Sequence, residues 1–403
     1  MKGKKKEVVP RLRFPEFRDG GVWVEKLLKD VAPLQRGFDL PTHKLEFGGI
    51  PVVYSNGVQN YHNRGMAEGP GLITGRSGTI GKLHFIEAGD YWPHNTTLWV
   101  TSFNDNVPKF IYFLYSAIGL ERFVSGSGVP TLNRNYVHAC SARIPRLKEE
   151  QQKIADCLSS LDTLIAAQAD KLDALKAHKK GLMQQLFPRE GETVPRLRFP
   201  EFRDGGDWVE KPLGSLSVIV RGGSPRPIDA YLTKDINGLN WLKIGDVDKE
   251  AKYINNTAER VKQSALKKTR VVKPGDLIMS NSMSFGRPYV LEITSCIHDG
   301  WIAVTEISNE ILSDYLYYVI LSGESQMYFL NAAAGGGVKN LNADIIKLLP
   351  VLVSLKQEQQ KIADCLSSLD TLIAAQADKL DALKAHKKGL MQQLFPSPEV
   401  VGA

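Results

Sequence analysis

Two segments of this chain occur twice without a single change, and they enclose two stretches that do not match. Residues 9–21 (VPRLRFPEFRDGG) recur at 194–206, and residues 150–188 (EQQKIADCLSSLDTLIAAQADKLDALKAHKKGLMQQLFP) recur at 358–396. Between the copies, residues 24–147 and 209–355 have diverged almost beyond recognition. An identical framework around unlike inserts calls for one scaffold holding two modules that recognise different things. A catalyst seldom needs that arrangement; a reader of a two-part target does.

The longer repeat is a helix. Ile154, Leu158, Leu161, Ile165, Gln168, Leu172, Leu175, Lys179, Leu182 and Leu186 alternate spacings of four and three, a heptad seam broken by one Gln and one Lys. Ala, Leu, Lys and Gln dominate, and Pro188 supplies the stop. Lys176, His178, Lys179 and Lys180 gather toward the end where the helix dipole favours cations. At 1.5 Å per residue such a helix is roughly 55 Å long. Its apolar stripe needs a partner, and the second copy is tethered in the same chain at high effective concentration. An antiparallel pair is expected. A parallel one would require residues 189–208 and the second module together to travel back the whole helix length.

Composition bounds the function. The 403 residues are 43% hydrophobic and 24% charged, ordinary values for a globular chain with core material for two domains and a scaffold. No run of about 18 apolar residues exists, and the basic N-terminus MKGKKKEVVP lacks the apolar stretch of a secretion signal, so a cytoplasmic protein is expected. Cys140, Cys157, Cys296 and Cys365 form no CxxC, and the histidines form no HxxxH; thiols rather than metal ligands are expected. The formal charge of +7 favours a polyanionic partner, as does the acid-free stretch holding Lys262, Lys267, Lys268, Arg270 and Lys273.

The modules share a faint plan. The first has Pro70-Gly71-Leu72-Ile73, then Gly81-Lys82, then strand candidates at 83–86 and 96–101. The second has Pro274-Gly275-Asp276-Leu277-Ile278, then Gly286-Arg287, then strand candidates at 289–293 and 301–305. A helix follows in each, at 108–118 with Asn106 as the expected cap and at 310–321 with Ser308. Both close on a glycine-rich loop and G-V-x-x-L-N, at 128–133 and 337–342. The expected fold is mixed α/β: two similar domains separated by an antiparallel pair of long coiled-coil helices in a pseudo-two-fold circular arrangement. The expected order is a lead-in (1–23), domain one (24–147), helix one (148–188), a linker with the second lead-in (189–208), domain two (209–355), helix two (356–396) and a tail (397–403).

Phosphate-loop readings fail. Residues 75–83 place five residues, not four, between the outer glycines, and Leu83 stands where a magnesium-binding hydroxyl belongs. No dinucleotide fingerprint, amino-methylation motif or nucleophile triad is recognisable. The loops offer polar, aromatic and basic chemistry instead, with Arg suited to guanine, Asn to adenine, and Lys or Ser to phosphate. In module one the candidate DNA contacts are Tyr54, Asn56, Asn63, Arg64, Arg76, Ser77, Lys82, Asn133 and Arg134. In module two they are Arg221, Ser224, Arg226, Asn281, Ser282, Arg287, Lys339, Asn340 and Asn342. The alternative is that most of them are solvated loop residues or turn formers.

The repeated long helix after each unlike domain, the VPRLRFPEFRDGG-x-W-V-E-K lead-in, and the GDLIMS…GR and GV-x-x-LN marks resemble type I restriction–modification specificity subunits over nearly the whole chain. The resemblance implies that each domain reads one half of a bipartite, asymmetric site in double-stranded DNA. It implies that the helices fix the spacer and that the chain has no catalysis of its own. Two modification subunits using S-adenosylmethionine would methylate adenine, and two restriction subunits using ATP and magnesium would translocate and cleave. Rival readings are a non-catalytic adaptor binding other proteins, a silent swap partner for another specificity gene, and an enzyme in its own right.

Overall fold

The computed structural model describes residues 10–125, 130–248, 251–281, 286–334 and 341–396. The chain forms two compact units: Met1–Asp170 with Ala377–Ala403, and Lys171–Gln376. Each long helix, Lys148–Leu186 and Lys356–Leu394, contributes one part to each unit.

In the first unit a four-stranded antiparallel sheet runs in the order Leu34–Arg36, Thr97–Val100, Gly71–Gly75, Leu83–Ile86. A second sheet runs Gly57–His62, Ile50–Tyr54, Asp90–Pro93, Ala67–Glu68, with Ile50–Tyr54 and Asp90–Pro93 parallel. The strand Gly71–Gly75 is buried throughout. Successive strand residues point to opposite faces, so Leu72 packs toward the helix Pro108–Ile118 while Ile73 joins Val53 and Tyr91 of the second sheet. A core on both faces of one sheet makes this strand buried at every residue rather than at alternate ones.

The second unit repeats the plan. Its first sheet runs Val218–Arg221, Trp301–Thr305, Leu277–Ser280, Pro288–Leu291, Tyr253–Ile254. Its second runs Leu232–Thr233, Glu259–Val261, Leu239–Leu242, Ser295–Ile297, Arg270–Val272. Leu277 and Met279 face Leu316 and Ile320 of the helix Ser313–Leu321, and Ile278 faces Leu242 and Ile297.

The long helices pack antiparallel within each unit. Ile154 and Leu158 share a core with Leu394 and Phe395 in the first, and Leu186 and Phe187 with Ile362 and Leu366 in the second. All ten seam residues of the first long helix are buried or half-buried. The lysine that interrupts the seam is paired: Lys179 Nζ bonds Asp370, and its copy Lys387 bonds Asp162. The two Nζ atoms lie over Tyr318 and Phe113, both 5.2 Å from the ring centres.

The short repeat clamps the start of each long helix. Arg13 grips Glu150 with two bonds of 2.7 Å, and Trp23 Nε1 adds a third at 3.1 Å. Arg198 grips Glu358 at 2.7 and 2.9 Å, and Trp208 Nε1 donates at 3.2 Å. Both glutamates are buried, and the three donors satisfy the charge that burial would otherwise penalise. The next residue caps the module helix. Gln151 Oε1 accepts the Val107 N–H and Gln359 Oε1 the Leu312 N–H, each at 2.9 Å.

Those caps correct the sequence reading. Asn106 turns its amide onto the carbonyls of Phe103 and Val31 instead. The second module helix starts at Ser313 rather than 310, because the Ser308 hydroxyl accepts the Glu310 N–H in a turn that precedes it.

Candidate nucleic-acid interface

Both modules gather the same backbone contacts at one end of their sheets. In module one His94 N donates to Val53 O, Arg76 N to Thr96 O, and Leu132 N to Arg76 O, at 2.8–2.9 Å. In module two His298 N donates to Leu242 O, Asn281 N to Gly300 O, and Leu341 N to Asn281 O, at 3.0–3.2 Å. The turn His94-Asn95-Thr96 therefore corresponds to His298-Asp299-Gly300, Arg76 to Asn281, and Asn133 to Asn342.

In module one this end holds Tyr54, Asn56, Arg76, Ser77, Lys82 and Asn133. The half-buried Tyr54 ring lies 4.2 Å from the His94 ring, centre to centre, and its hydroxyl accepts from Asn60 at 3.1 Å. Asn56 is exposed in the hairpin turn beyond Tyr54. Ser77 bridges to Thr131, and the Lys82 carbonyl accepts the Gly75 N–H. Asn133 caps the short helix Arg134–Ala139 by accepting the Asn135 N–H at 3.0 Å, with Arg134 exposed on its first turn. Asn63 and Arg64 lie elsewhere. Ile50 pairs with His62, so they follow the hairpin's opposite end, where Asn63 bonds Glu46 and Arg64 lies over Trp92.

In module two four predicted residues converge on one that was not. Arg221 Nε donates to the Asp299 carbonyl at 3.0 Å, and Asn281 Nδ2 to the same oxygen at 3.3 Å. Ser224 Oγ donates to Asp299 Oδ1 at 3.0 Å, and Arg226 reaches Oδ2 at 3.4 Å. Burial works to raise the Asp299 carboxyl, but the Ser224 bond with His298 and Arg226 outweighs it and holds the group below the usual carboxylate range. Beside this cluster a cavity of about 400 Å³ is walled by Arg226, Trp241, Lys243 and His298.

Asn342 caps the helix Ala343–Lys347 through the Ile345 N–H. Arg287 points away from the cluster, over Tyr289 and toward the Ala251 carbonyl. Ser282, Lys339 and Asn340 lie outside the described residues, as do the glycines of both closing loops. Sequence reasoning missed Arg36, Asp39, His94, Asn95, His298 and Asp299. The available signal was an Arg-Gly pair at the end of the strands Leu34–Arg36 and Val218–Arg221 and a His-Asn or His-Asp pair just before Thr97–Val100 and Trp301–Thr305.

The modules differ in charge at the shared turn, with neutral Asn95 in one and Asp299 in the other. His94 is held below its usual value by burial, against the opposing effects of the Leu40 backbone and Asp39. The guanidinium groups of Arg36, Arg221 and Arg226 are exposed on this fixed backbone, a side-chain type suited to base edges or phosphates. Among the described residues no three His, Cys, Asp or Glu side chains group as a metal site, and no helix is long and apolar enough to cross a membrane. All four cysteines are free thiols.

The type I restriction modification DNA specificity domain family matches residues 21–177 and again 205–385. The chain belongs to this family. The specificity subunit is 24% identical over 301 residues to the type I restriction enzyme MjaVIII specificity subunit of Methanocaldococcus jannaschii, covering 71% of this chain and 69% of that one. Its fold is similar to that of the type I restriction–modification system S subunit from M. genitalium, with a TM-score of 0.63 at 15% identity, covering 97% and 100% of the two chains. A chain from the type I R-M system, solved for its complex assembly and conformational transition, matches with a TM-score of 0.58 at 16% identity, covering 92% and 97%.

Proposed function

We propose that each module of this specificity subunit reads one half of a bipartite, asymmetric DNA site, and that the two long helices set the number of unread base pairs between the halves. The observation that carries this reading is one loop cluster built twice on the same backbone contacts, with different side chains each time. Equal scaffolds position both readers alike, and unlike side chains give unlike half-sites. The modules correspond to target recognition domains at 24–147 and 209–355.

The chain supplies recognition, while partner subunits supply chemistry. Two modification subunits methylate an adenine in each half-site with S-adenosylmethionine. Two restriction subunits use ATP and magnesium to translocate and cleave unmodified DNA. The complex acts in the cytoplasm, and the net charge of +7 supports only weak, salt-sensitive binding by this chain alone.

The deciding experiment maps adenine methylation across host DNA by single-molecule sequencing, with the modification subunit present and this gene intact or deleted. Loss of a gapped two-part motif on deletion is the expected result. Unchanged methylation would sink the reading.

A further inference from the structure

The divergent modules share one side-chain device that they build from different residues. In each, the first strand of the first sheet ends in Arg-Gly, as Arg36-Gly37 and Arg221-Gly222. A Cβ on Gly37 would lie 2.2 Å from the His94 carbonyl oxygen, and one on Gly222 would lie 2.1 Å from that of His298. Neither position tolerates a side chain, so the backbone next to each arginine is pressed against the shared turn.

Around that turn two positions are hydrogen-bonded to each other in both modules. One lies three residues after the arginine and the other just after the turn histidine. In module one they are Asp39 and Asn95, with Asn95 Nδ2 donating to Asp39 Oδ1. In module two they are Ser224 and Asp299, with Ser224 Oγ donating to Asp299 Oδ1 at 3.0 Å. Each pair holds one carboxylate and one neutral donor, but the two have exchanged places. An arginine is attached in both: Arg36 to Asp39 at 3.3 Å, and Arg221 to the Asp299 carbonyl at 3.0 Å. Unconstrained divergence has no reason to keep one carboxylate while moving it across the contact. A need to fix the turn under a guanidinium does: Asp39 bonds Arg36 directly, whereas the Asp299 carboxylate, bonded to Ser224 and Arg226, fixes the turn whose main-chain carbonyl holds Arg221.

We infer that this cradle is the guanine-reading element of each module, with Arg36 contacting one half-site, Arg221 the other, and Asp39 and Asp299 as positioning residues. The inference rests on the DNA-reading function proposed above. Both arginines are exposed. Arg221 spends its Nε on Asp299, and among the described residues its two terminal nitrogens make no other hydrogen bond. Those nitrogens form the fork that matches O6 and N7 of guanine. In each cradle an aspartate, through its carboxylate in Asp39 and its main-chain carbonyl in Asp299, reduces the ordering entropy the arginine loses on binding. It also repels a phosphate, which favours a neutral base edge as the arginine's partner.

The test maps methylation by the complete modification complex carrying wild-type subunit, Arg36→Ala, Arg221→Ala, Arg221→Lys, Asp39→Asn or Asp299→Asn. In Arg221→Ala one guanine position in one half-site loses its preference by about tenfold or more, while the other half-site and the spacer stay fixed. Arg36→Ala does the same in the opposite half-site. Arg221→Lys keeps the charge, loses the fork and relaxes the same position. The near-isosteric Asp39→Asn and Asp299→Asn relax their half-sites less, without a matching fall in total methylation, which a purely structural role would cause. These conservative variants keep the test valid if an alanine variant fails to assemble. A uniform fall at an unchanged motif marks phosphate contacts and overturns the inference, as does relaxation at a base other than guanine. Absence of any gapped motif with wild-type subunit would instead overturn the function on which the inference stands.

Discussion

His138 accepts the Leu34 N–H on Nε2 at 2.8 Å, so the folded first unit needs that ring neutral. Burial and nearby Arg134 hold its pKa below the ordinary 6.5, whereas in the unfolded chain it returns to that value. Below pH 6.5 the unfolded state binds more protons, so stability is complete above that pH and is lost as pH falls toward the folded pKa. Thermal melts of the full chain should therefore show a lower first transition at pH 5.5 than at pH 7.5. His138→Gln, which can still accept a bond without titrating, should shrink the difference; an undiminished difference would place the effect elsewhere. At this scale the sequence was half legible. Arg221, Ser224, Arg226 and Asn281 could be chosen by residue type and loop position. Asp299 could not, because its importance comes from partners in a loop more than seventy residues away, Ser224 and Arg226.

Helices show a similar limit at their ends. The bounds 108–118 match the observed helix Pro108–Ile118, since Pro at the first turn and Gly119 after the last are local signals. Its cap was illegible because Gln151 delivers it from another element. The seam lysines looked like flaws in a heptad pattern and turn out to be ion-paired across the helices. The surroundings of those pairs differ between units. Tyr318 donates to Asp370 at 2.6 Å and meets Ser367, which Lys252 also bonds at 2.9 Å. Its counterpart, six residues beyond the capped Val107, is Phe113, which has no hydroxyl to offer Asp162. Tyr318→Phe should cost the second unit about 1.5–3 kcal/mol, the range for hydrogen bonds to charged groups, read by chemical denaturation. A change near zero would mean that Lys179 alone satisfies Asp370.

For the whole molecule, the exact repeat carried most of the information. It foretold two modules on one scaffold and helices that run antiparallel within each unit, because a parallel pair would need the segment joining the copies to carry the chain back the whole helix length. It could not reveal side-chain geometry in regions where the two copies no longer match. Inserting four residues after Asp170 and again after Asp378 adds about 6 Å, slightly more than one turn, to each helix, worth one or two base pairs at about 3.4 Å each. The insertions leave Lys179–Asp370 and Lys387–Asp162 on their own sides of the added turns. Methylome sequencing should show a longer spacer between unaltered half-sites; an unchanged spacer would refute the helices as its measure.

The caps supplied by Gln151 and Gln359 have an evolutionary consequence. Each sits in repeated sequence, yet each completes a helix that belongs to the variable module. A newly acquired module therefore meets the same capping amide and the same buried Glu clamp in either slot. Selection can replace the target without rebuilding the junction that keeps the domain folded, so inherited stability and novel specificity are free to vary independently.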